Sequence, residues 1–109
     1  MRQLTFLFML CFCSVAFSQK PAKVMSTYSC GVWVDYRARD IVYPNVWLLG
    51  FLSGGNVFGG LKGNVLESVD RESIFLWMDK FCKDNPLEYI DTGGNLLLRE
   101  LDAKSVKKK

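Results

Sequence analysis

The 109-residue chain contains no histidine. The remaining side chains that commonly take part in catalysis or metal binding are its four cysteines and 11 carboxylates. Nucleophilic Ser-His-Asp or Cys-His sites and His-ligated metal sites therefore cannot form. Asp35 and Glu67 have the residue types of a glycoside-hydrolysing pair, but no pattern in the sequence brings them together. The sequence also contains no calcium loop of the Asp-x-Asp-x-Asp-Gly type. We therefore predict a protein that is not an enzyme, with no catalytic residue, no cofactor and no metal site.

The first 18 residues have the features of a secretory signal peptide. Arg2 supplies one positive charge, an apolar run extends from Leu4 to Phe17, and Ala16 and Ser18 are the small residues that a signal peptidase recognises. The apolar run is shorter than the about 20 residues that cross a bilayer as a helix. We predict that residues 1–18 are cleaved, that the protein is exported to the periplasm, and that it has no stable membrane anchor.

Cleavage of the signal peptide would remove Cys11 and Cys13 and leave Cys30 and Cys82. Two cysteines in an oxidising compartment permit a single pairing, so we predict a disulfide between Cys30 and Cys82. The chain-entropy model gives a bridge that closes a loop of this length a stabilising effect of roughly 4 kcal/mol. Because the two cysteines are far apart in sequence, a Cys-x-x-Cys redox motif is excluded and a structural role is favoured.

The charge of the chain is +3, from 14 basic and 11 acidic residues. Four of the lysines lie at the C-terminus, at positions 104, 107, 108 and 109. A nucleic-acid-binding protein is expected to spread its basic residues over a face of the fold, often between aromatic residues. The concentration of charge at the end of the chain predicts a solvated basic tail and no binding of nucleic acid.

The first half of the exported chain predicts two helices. Ser29 is a suitable N-cap for the first helix, which is expected to end before Pro44. A second helix is expected from about Asn45 and to end near Gly54 and Gly55. It is apolar on nearly all sides, which predicts a buried central helix. The glycine-rich segment from Gly54 to Gly63 matches neither a phosphate loop nor a dinucleotide fingerprint, and we predict a mobile loop there.

The second half of the chain predicts two more helices. Asp70 is expected to cap a third helix that Pro86 ends, and Asn85 is expected to cap a fourth. Gly93 and Gly94 fall inside the fourth helix, where a kink or fraying is expected. The apolar residues at helical spacing on the third helix are Ile74, Trp77, Met78, Phe81 and Cys82, and those on the fourth are Leu87, Ile90, Leu97, Leu98 and Leu101.

These features together predict an all-α, small four-helix domain pinned by one disulfide. The expected organisation is a signal peptide at residues 1–18, a flexible leader at 19–28, the helical domain at 29–103 and the basic tail at 104–109.

Several motifs resemble the periplasmic acid-stress chaperones of the HdeA/HdeB type. The similar parts are Tyr28-Ser29-Cys30-Gly31-Val32-Trp33, then Trp47-Leu48-Leu49-Gly50, and finally Cys82-Lys83-Asp84-Asn85-Pro86. The resemblance covers about residues 28–101. It implies a protein that is folded and a homodimer at neutral pH, and that loosens in acid to hold unfolding client proteins on exposed apolar surface.

The aromatic residues at helical spacing are the candidates for contacting a client or another protein partner, although large aromatic residues at such spacing are more often core residues. These candidates are Trp33, Trp47, Phe51, Trp77 and Phe81. Because the chain has 11 carboxylates and no histidine, an acid response would depend on protonation of carboxylates, well below neutral pH.

A second resemblance implies a specific partner. The segment from Trp47 to Gly54 is also similar to Tai-type immunity proteins, which neutralise cell-wall amidases delivered by type VI secretion. In that alternative, the glycine-rich segment from Gly54 to Gly63 is the candidate for insertion into the active site of the toxin.

Overall fold

The computed structural model describes residues 22–107, and these residues form four α-helices. Helix α1 spans Cys30–Ala38, α2 spans Tyr43–Phe58, α3 spans Arg71–Asp84 and α4 spans Ile90–Val106. In the described part of the chain, the only β-structure is an isolated antiparallel bridge between Ser29 and Tyr89. The prediction of an all-α, four-helix domain is confirmed. The predicted signal peptide and the last two lysines of the basic tail lie outside the described residues.

The predicted N-caps of the first and third helices are confirmed. The Ser29 hydroxyl accepts a hydrogen bond from the backbone N–H of Val32 at 3.2 Å. The Asp70 carboxylate accepts one from the backbone N–H of Ser73 at 2.8 Å. Each cap satisfies an N–H group that has no partner inside its helix, so both helices begin where the sequence predicts.

Helix α2 is longer than the sequence predicts. It begins at Tyr43, with Pro44 in its first turn, and it continues through Gly54 and Gly55 to Phe58. The prediction that the glycine pair ends the helix is therefore wrong. The reason is tertiary packing, since Gly55 lies directly against the side chain of Leu98 on α4. The irregular segment between α2 and α3 starts only at residue 59, so the first five residues of the predicted loop are helical.

Helix α2 is also less buried than the sequence predicts. Leu48 and Leu52 are fully buried, whereas Tyr43, Val46 and Val57 are more than half exposed. The helix packs one face on α4 and leaves the opposite face in solvent. It is therefore a peripheral helix with an apolar outer face, not a central one.

Helix α4 begins four residues later than predicted. Its N-cap is Tyr89, and Asn85 instead ends α3 by donating hydrogen bonds from its backbone and side chain to the Phe81 carbonyl, both at 2.9 Å. Leu87, predicted to lie on the inner face of the helix, is 93% exposed in the connecting turn.

The late start of α4 has a backbone cause. The N–H of Cys30 donates to the carbonyl of Glu88 at 2.8 Å, and the N–H of Ile90 donates to the carbonyl of Tyr28 at 2.9 Å. Because these two antiparallel bonds hold the backbone before α4 in an extended conformation, the helix cannot begin until Ile90. The fraying expected at the glycine pair is absent, since α4 runs without interruption from Ile90 through Gly93 and Gly94 to Val106.

The helices pack as α1 on α3, α2 on α4, and α3 on α4. The predicted disulfide is present: Cys30, the first residue of α1, is bonded to Cys82 near the end of α3, and both are buried. Most of the core lies around this bridge and α4, and includes Trp33, Met78 and Ile90, none of which has exposed surface.

Candidate functional site

Four of the five candidate aromatic residues form two stacked pairs. On α2 the rings of Trp47 and Phe51 lie 5.2 Å apart with an angle of 12° between their planes. On α3 the rings of Trp77 and Phe81 lie 5.7 Å apart at 7°. The two residues of each pair are four positions apart, the spacing that places side chains on the same face of a helix.

The start of α4 lies between the two aromatic pairs. A Cβ atom added to Gly94 would stand 2.9 Å from the ring of Phe51, and one added to Gly93 would stand 2.7 Å from the ring of Phe81. Gly93 therefore faces α3 and Gly94 faces α2, because successive positions of a helix point in different directions. The glycine pair lets α4 approach both rings more closely than any other residue type allows.

The candidate aromatic residues differ in exposure. Trp33 has no exposed surface and Phe81 is nearly buried, whereas Trp47, Phe51 and Trp77 are partly exposed. The fifth candidate, Trp33, contacts Phe75 of α3 at a centroid distance of 6.1 Å and belongs to neither pair. In the folded protein, a partner could reach only the partly exposed members of the set, and contact with Trp33 would require the helices to separate.

Asp79 is the polar centre of the α1–α3 contact. It accepts hydrogen bonds from the indole N–H of Trp33 at 2.7 Å and from two nitrogens of Arg37 at 2.8 and 3.0 Å. Arg37 also lies over the rings of Trp33 and Phe75, at 5.9 and 5.6 Å from their centroids. Burial alone would raise the pKa of Asp79, but the bonds from Arg37 and Trp33 outweigh it and hold that pKa below its ordinary value.

Glu100 joins α4 to α3. It accepts a hydrogen bond from the indole N–H of Trp77 at 3.0 Å and one from Lys104 at 2.8 Å. These two bonds hold the pKa of Glu100 below its ordinary value, with Lys104 making the larger contribution. Neither Asp79 nor Glu100 could be identified from the sequence, because no local pattern shows which carboxylate will face an indole on another helix.

Carboxylates accept all the long-range side-chain hydrogen bonds found in residues 22–107. Asp79 and Glu100 accept such bonds between residues at least 23 positions apart, as described above. Asp91 accepts one from Thr27 at 2.6 Å, and Asp102 accepts one from the backbone N–H of Lys62 at 3.0 Å. Four carboxylates thus accept the long-range hydrogen bonds that involve a side chain, in addition to the backbone bonds of Cys30 with Glu88 and of Ile90 with Tyr28.

The end of α2 carries the most exposed aromatic residue of the described chain. Phe58 is 88% exposed and the neighbouring Val57 is 68% exposed. The segment that follows is held in place, because Asn56 donates to the Asn64 side chain at 2.7 Å and accepts from the backbone of Val65 at 2.9 Å. The end of α2 therefore presents two exposed apolar side chains, Val57 and Phe58, next to a segment that Asn56 holds in place.

The structure does not bring Asp35 and Glu67, the carboxylates with the residue types of a glycoside-hydrolysing pair, into contact with each other. Asp35 pairs with Arg39, the residue that directly follows α1, and Glu67 is exposed in the segment between α2 and α3. In residues 22–107, no cluster of three or more His, Cys, Asp or Glu side chains is arranged to hold a metal ion. Within the same range, no helix combines the length and the apolar character needed to cross a membrane.

No protein-family model, curated protein or solved structure matches this chain. The two resemblances noted from the sequence stay predictions.

Proposed function

We propose that this protein is an exported, periplasmic protein-binding protein that acts as an acid-activated chaperone of the HdeA/HdeB kind. In this proposal, acid loosens the helical domain, and the exposed aromatic surface holds unfolding client proteins. The observation that carries the proposal is that carboxylates accept every long-range side-chain hydrogen bond in the described residues.

The sign of the acid effect follows from the direction of the pKa shifts. Asp79 and Glu100 have pKa values lowered by folding, so each stabilises the folded state above its unfolded pKa. That stabilisation is lost as the pH falls through the folded pKa, when the carboxyl group takes up a proton. Loosening is therefore expected below about pH 4, and the absence of histidine removes a titrating group between pH 5 and 8.

Loss of negative charge acts in the same direction. Protonation of the 11 carboxylates would leave the basic residues of the exported chain unbalanced. Repulsion between like charges then opposes the compact state. The disulfide keeps α1 joined to α3 during this change, so the opened protein would expose aromatic surface without becoming a free random chain.

The test is a titration of the oxidised protein from pH 7 to pH 2, with two measurements at each step. An environment-sensitive dye reports exposed apolar surface, and light scattering reports aggregation of a client that unfolds in acid. We expect dye binding and suppression of client aggregation to appear together below about pH 4. A chain that stays compact and does not reduce scattering at any pH would contradict it.

A second candidate function rests on the exposed tip of α2. A Tai-like immunity protein would bind one secreted cell-wall amidase tightly at neutral pH, and Phe58 with Val57 has the exposure expected of an aromatic anchor for such a partner. The test is titration with the amidase encoded by a neighbouring gene.

A matched pair of variants tests this second function. Phe58→Ser is expected to weaken binding by about tenfold or more. Leu87→Ser, which alters an equally exposed apolar residue in another turn, is the control and is expected to have little effect. Equal affinities for the two variants would remove Phe58 from the binding surface.

A further inference from the structure

The outer face of α2, opposite its buried leucines, is an apolar surface that the other described helices leave in solvent. Tyr43, Val46 and Val57 lie along this face and are between 63% and 70% exposed. Val42, the N-cap of the helix, and Phe58, its last residue, are also more than half exposed. Such a concentration of exposed apolar side chains along one helix is typical of a surface that binds another protein.

This face carries no charge along its length. Residues 41–61 include no Asp, Glu, Lys or Arg, so Asp40 precedes the uncharged stretch and Lys62 follows it. Neither Asp40 nor Lys62 forms an ion pair within residues 22–107, whereas Arg39, the neighbour of Asp40, pairs with Asp35. The solvent face of a helix ordinarily presents polar and charged side chains. The outer face of α2 instead has one negative side chain before its start and one positive side chain beyond its end.

Two glycines lie in the middle of the same face. A Cβ atom added to Gly50 or to Gly54 meets nothing within 4 Å, so no contact inside the chain requires glycine at either position. Each glycine stabilises a helix less than alanine does. Small residues at these positions leave room for a second helix at an interaxial distance of about 8–10 Å, which alanine also permits.

The residues of the outer face are spaced symmetrically about Gly50. Tyr43 precedes Gly50 by seven positions and Val57 follows it by seven, while Val46 precedes it by four and Gly54 follows it by four. When two copies of α2 cross antiparallel at Gly50, Tyr43 of each copy meets Val57 of the other, and Val46 meets Gly54. A larger side chain therefore faces a smaller one in each of these contacts, and the face is complementary to itself, as a two-fold interface requires.

The charges at the two ends of the face favour the antiparallel arrangement. In that arrangement, Asp40 of each copy comes to the end of the partner's helix that Lys62 follows, so opposite charges approach each other at both ends. A parallel arrangement would bring like charges together at both ends. Arg71 and Glu72 of α3, which border the groove beside Val46, already pair with each other at 3.2 Å and add no unbalanced charge.

The size of the face is sufficient for a reversible dimer. Tyr43 and Phe58 would bury on the order of 300 Å² in each copy, because an aromatic side chain buries roughly 150–250 Å². With the exposed valines, two copies would bury about 1,000 Å² in total, which is near the lower limit for a specific interface. A dissociation constant on the order of 10 μM is expected for so small an interface.

We propose that the outer face of α2 binds a second copy of this chain, and that the two copies of α2 pair antiparallel about a two-fold axis at Gly50. This inference goes beyond the acid-activated function and does not depend on it, because the two copies are expected to associate at neutral pH with no client present.

The first test is sedimentation velocity of the full oxidised protein at pH 7, at concentrations from about 1 to 300 μM, a range that spans the expected dissociation constant. The wild-type protein is expected to change from monomer to dimer across this range. A protein that stays monomeric throughout, or that forms open-ended assemblies in place of a closed dimer, would overturn the proposal.

Val46→Lys and Leu76→Lys are the matched variants for this test. Val46 is 63% exposed on the outer face of α2, and Leu76 is 65% exposed on α3. Val46→Lys is expected to raise the dissociation constant at least tenfold, because its charge would lie between the two helices without a partner. Leu76→Lys is expected to leave the dissociation constant unchanged. Equal dissociation constants for the two variants, with wild-type circular dichroism in both, would overturn the proposal.

Cross-linking tests the direction of pairing and does not depend on the Val46 variant. Tyr43→Cys and Val57→Cys are prepared with the Cys30–Cys82 disulfide intact and treated with a short bismaleimide at pH 7. The antiparallel dimer is expected to give cross-linked product when the two variants are mixed and little from either alone, because the two copies of position 43 lie about 20 Å apart along the helices. Efficient cross-linking of each variant with itself would show parallel pairing and overturn the proposal.

Discussion

Gly93 of α4 lies so close to Phe81 of α3 that a Cβ atom at Gly93 would stand 2.7 Å from Cδ1 of the ring. The same Cβ atom would stand 2.8 Å from the sulfur of Met78. Phe81 is stacked on Trp77 and is 9% exposed, so its ring has little room to move away. The glycine is therefore required by the distance between the two helices and not by its backbone conformation, which is helical.

Replacing Gly93 with Ala is expected to lower the free energy of unfolding by about 1–3 kcal/mol, the typical effect of overpacking a core. The better helix propensity of alanine, about 1 kcal/mol, offsets part of that loss. Urea denaturation of the oxidised protein measures the change.

The control for this substitution is Gly50→Ala on the exposed face of α2. A Cβ atom at Gly50 meets nothing within 4 Å, so the propensity gain is expected to appear alone and to stabilise the protein by roughly 0.5–1 kcal/mol. If both alanine variants are stabilised equally, close packing does not restrict Gly93.

Replacing Asp79 with Asn is expected to destabilise the protein at pH 7 by about 1–2 kcal/mol, allowing for partial exposure of the Arg37 ion pair. Because folding lowers the pKa of Asp79, its contribution is present above the unfolded pKa and disappears as the pH falls through the folded value. The difference between wild type and variant should therefore shrink from about pH 5 downward. Denaturation midpoints at several pH values measure it.

Asp40→Asn is the matched control for Asp79→Asn, because Asp40 is exposed and hydrogen-bonds no distant residue through its side chain in residues 22–107. Asparagine also tolerates the positive φ of 53° found at this position. A pH-dependent loss of the same size in both variants would show that the Asp79 contacts are not responsible.

Replacing Cys30 and Cys82 together with Ala is expected to cost about 2–5 kcal/mol, since the bridge joins residues 52 positions apart. That is a large share of the stability of a domain of this size. Thermal unfolding followed by circular dichroism measures the loss. A melting temperature within a few degrees of wild type would show that the α1–α3 contact holds without the bridge.

Replacing Asn56 with Ala is expected to loosen the segment between α2 and α3, because its side chain bonds Asn64 and the backbone of Val65. Hydrogen exchange of residues 61–66 should become faster, with a loss of stability of about 1 kcal/mol. Asn95→Ala, at an exposed position of α4, is the control. Unchanged exchange in the Asn56 variant would mean that other contacts hold the segment.

Local patterns predicted the parts of the fold that depend on local chemistry. The caps at Ser29 and Asp70 and the amphipathic pattern of α3 appear in the structure as expected, because each depends on neighbouring residues. The disulfide was predictable because the expected cleavage of residues 1–18 would leave only two cysteines. The errors at Gly54, Gly55 and Asn85 arose where packing or a distant backbone segment overrides a local preference.

The candidate site also has parts that the sequence predicted and parts that it could not. Helical spacing identified the residues of the Trp47–Phe51 and Trp77–Phe81 stacks, since each pair lies one turn apart on a single helix. It could not show that Trp33 is fully buried, nor that Asp79 and Glu100 accept bonds from indoles on other helices.

The sequence by itself determined the helical class, two helix starts, the Cys30–Cys82 disulfide and the identity of the aromatic residues. Only the tertiary structure decided that Gly93 and Gly94 place α4 between two aromatic rings, and that carboxylates join the distant segments. The physical reason is the distance along the chain over which each interaction acts. Caps and periodicity act over one or two turns, whereas a contact between helices depends on how whole elements pack, and one sequence pattern is compatible with several such packings.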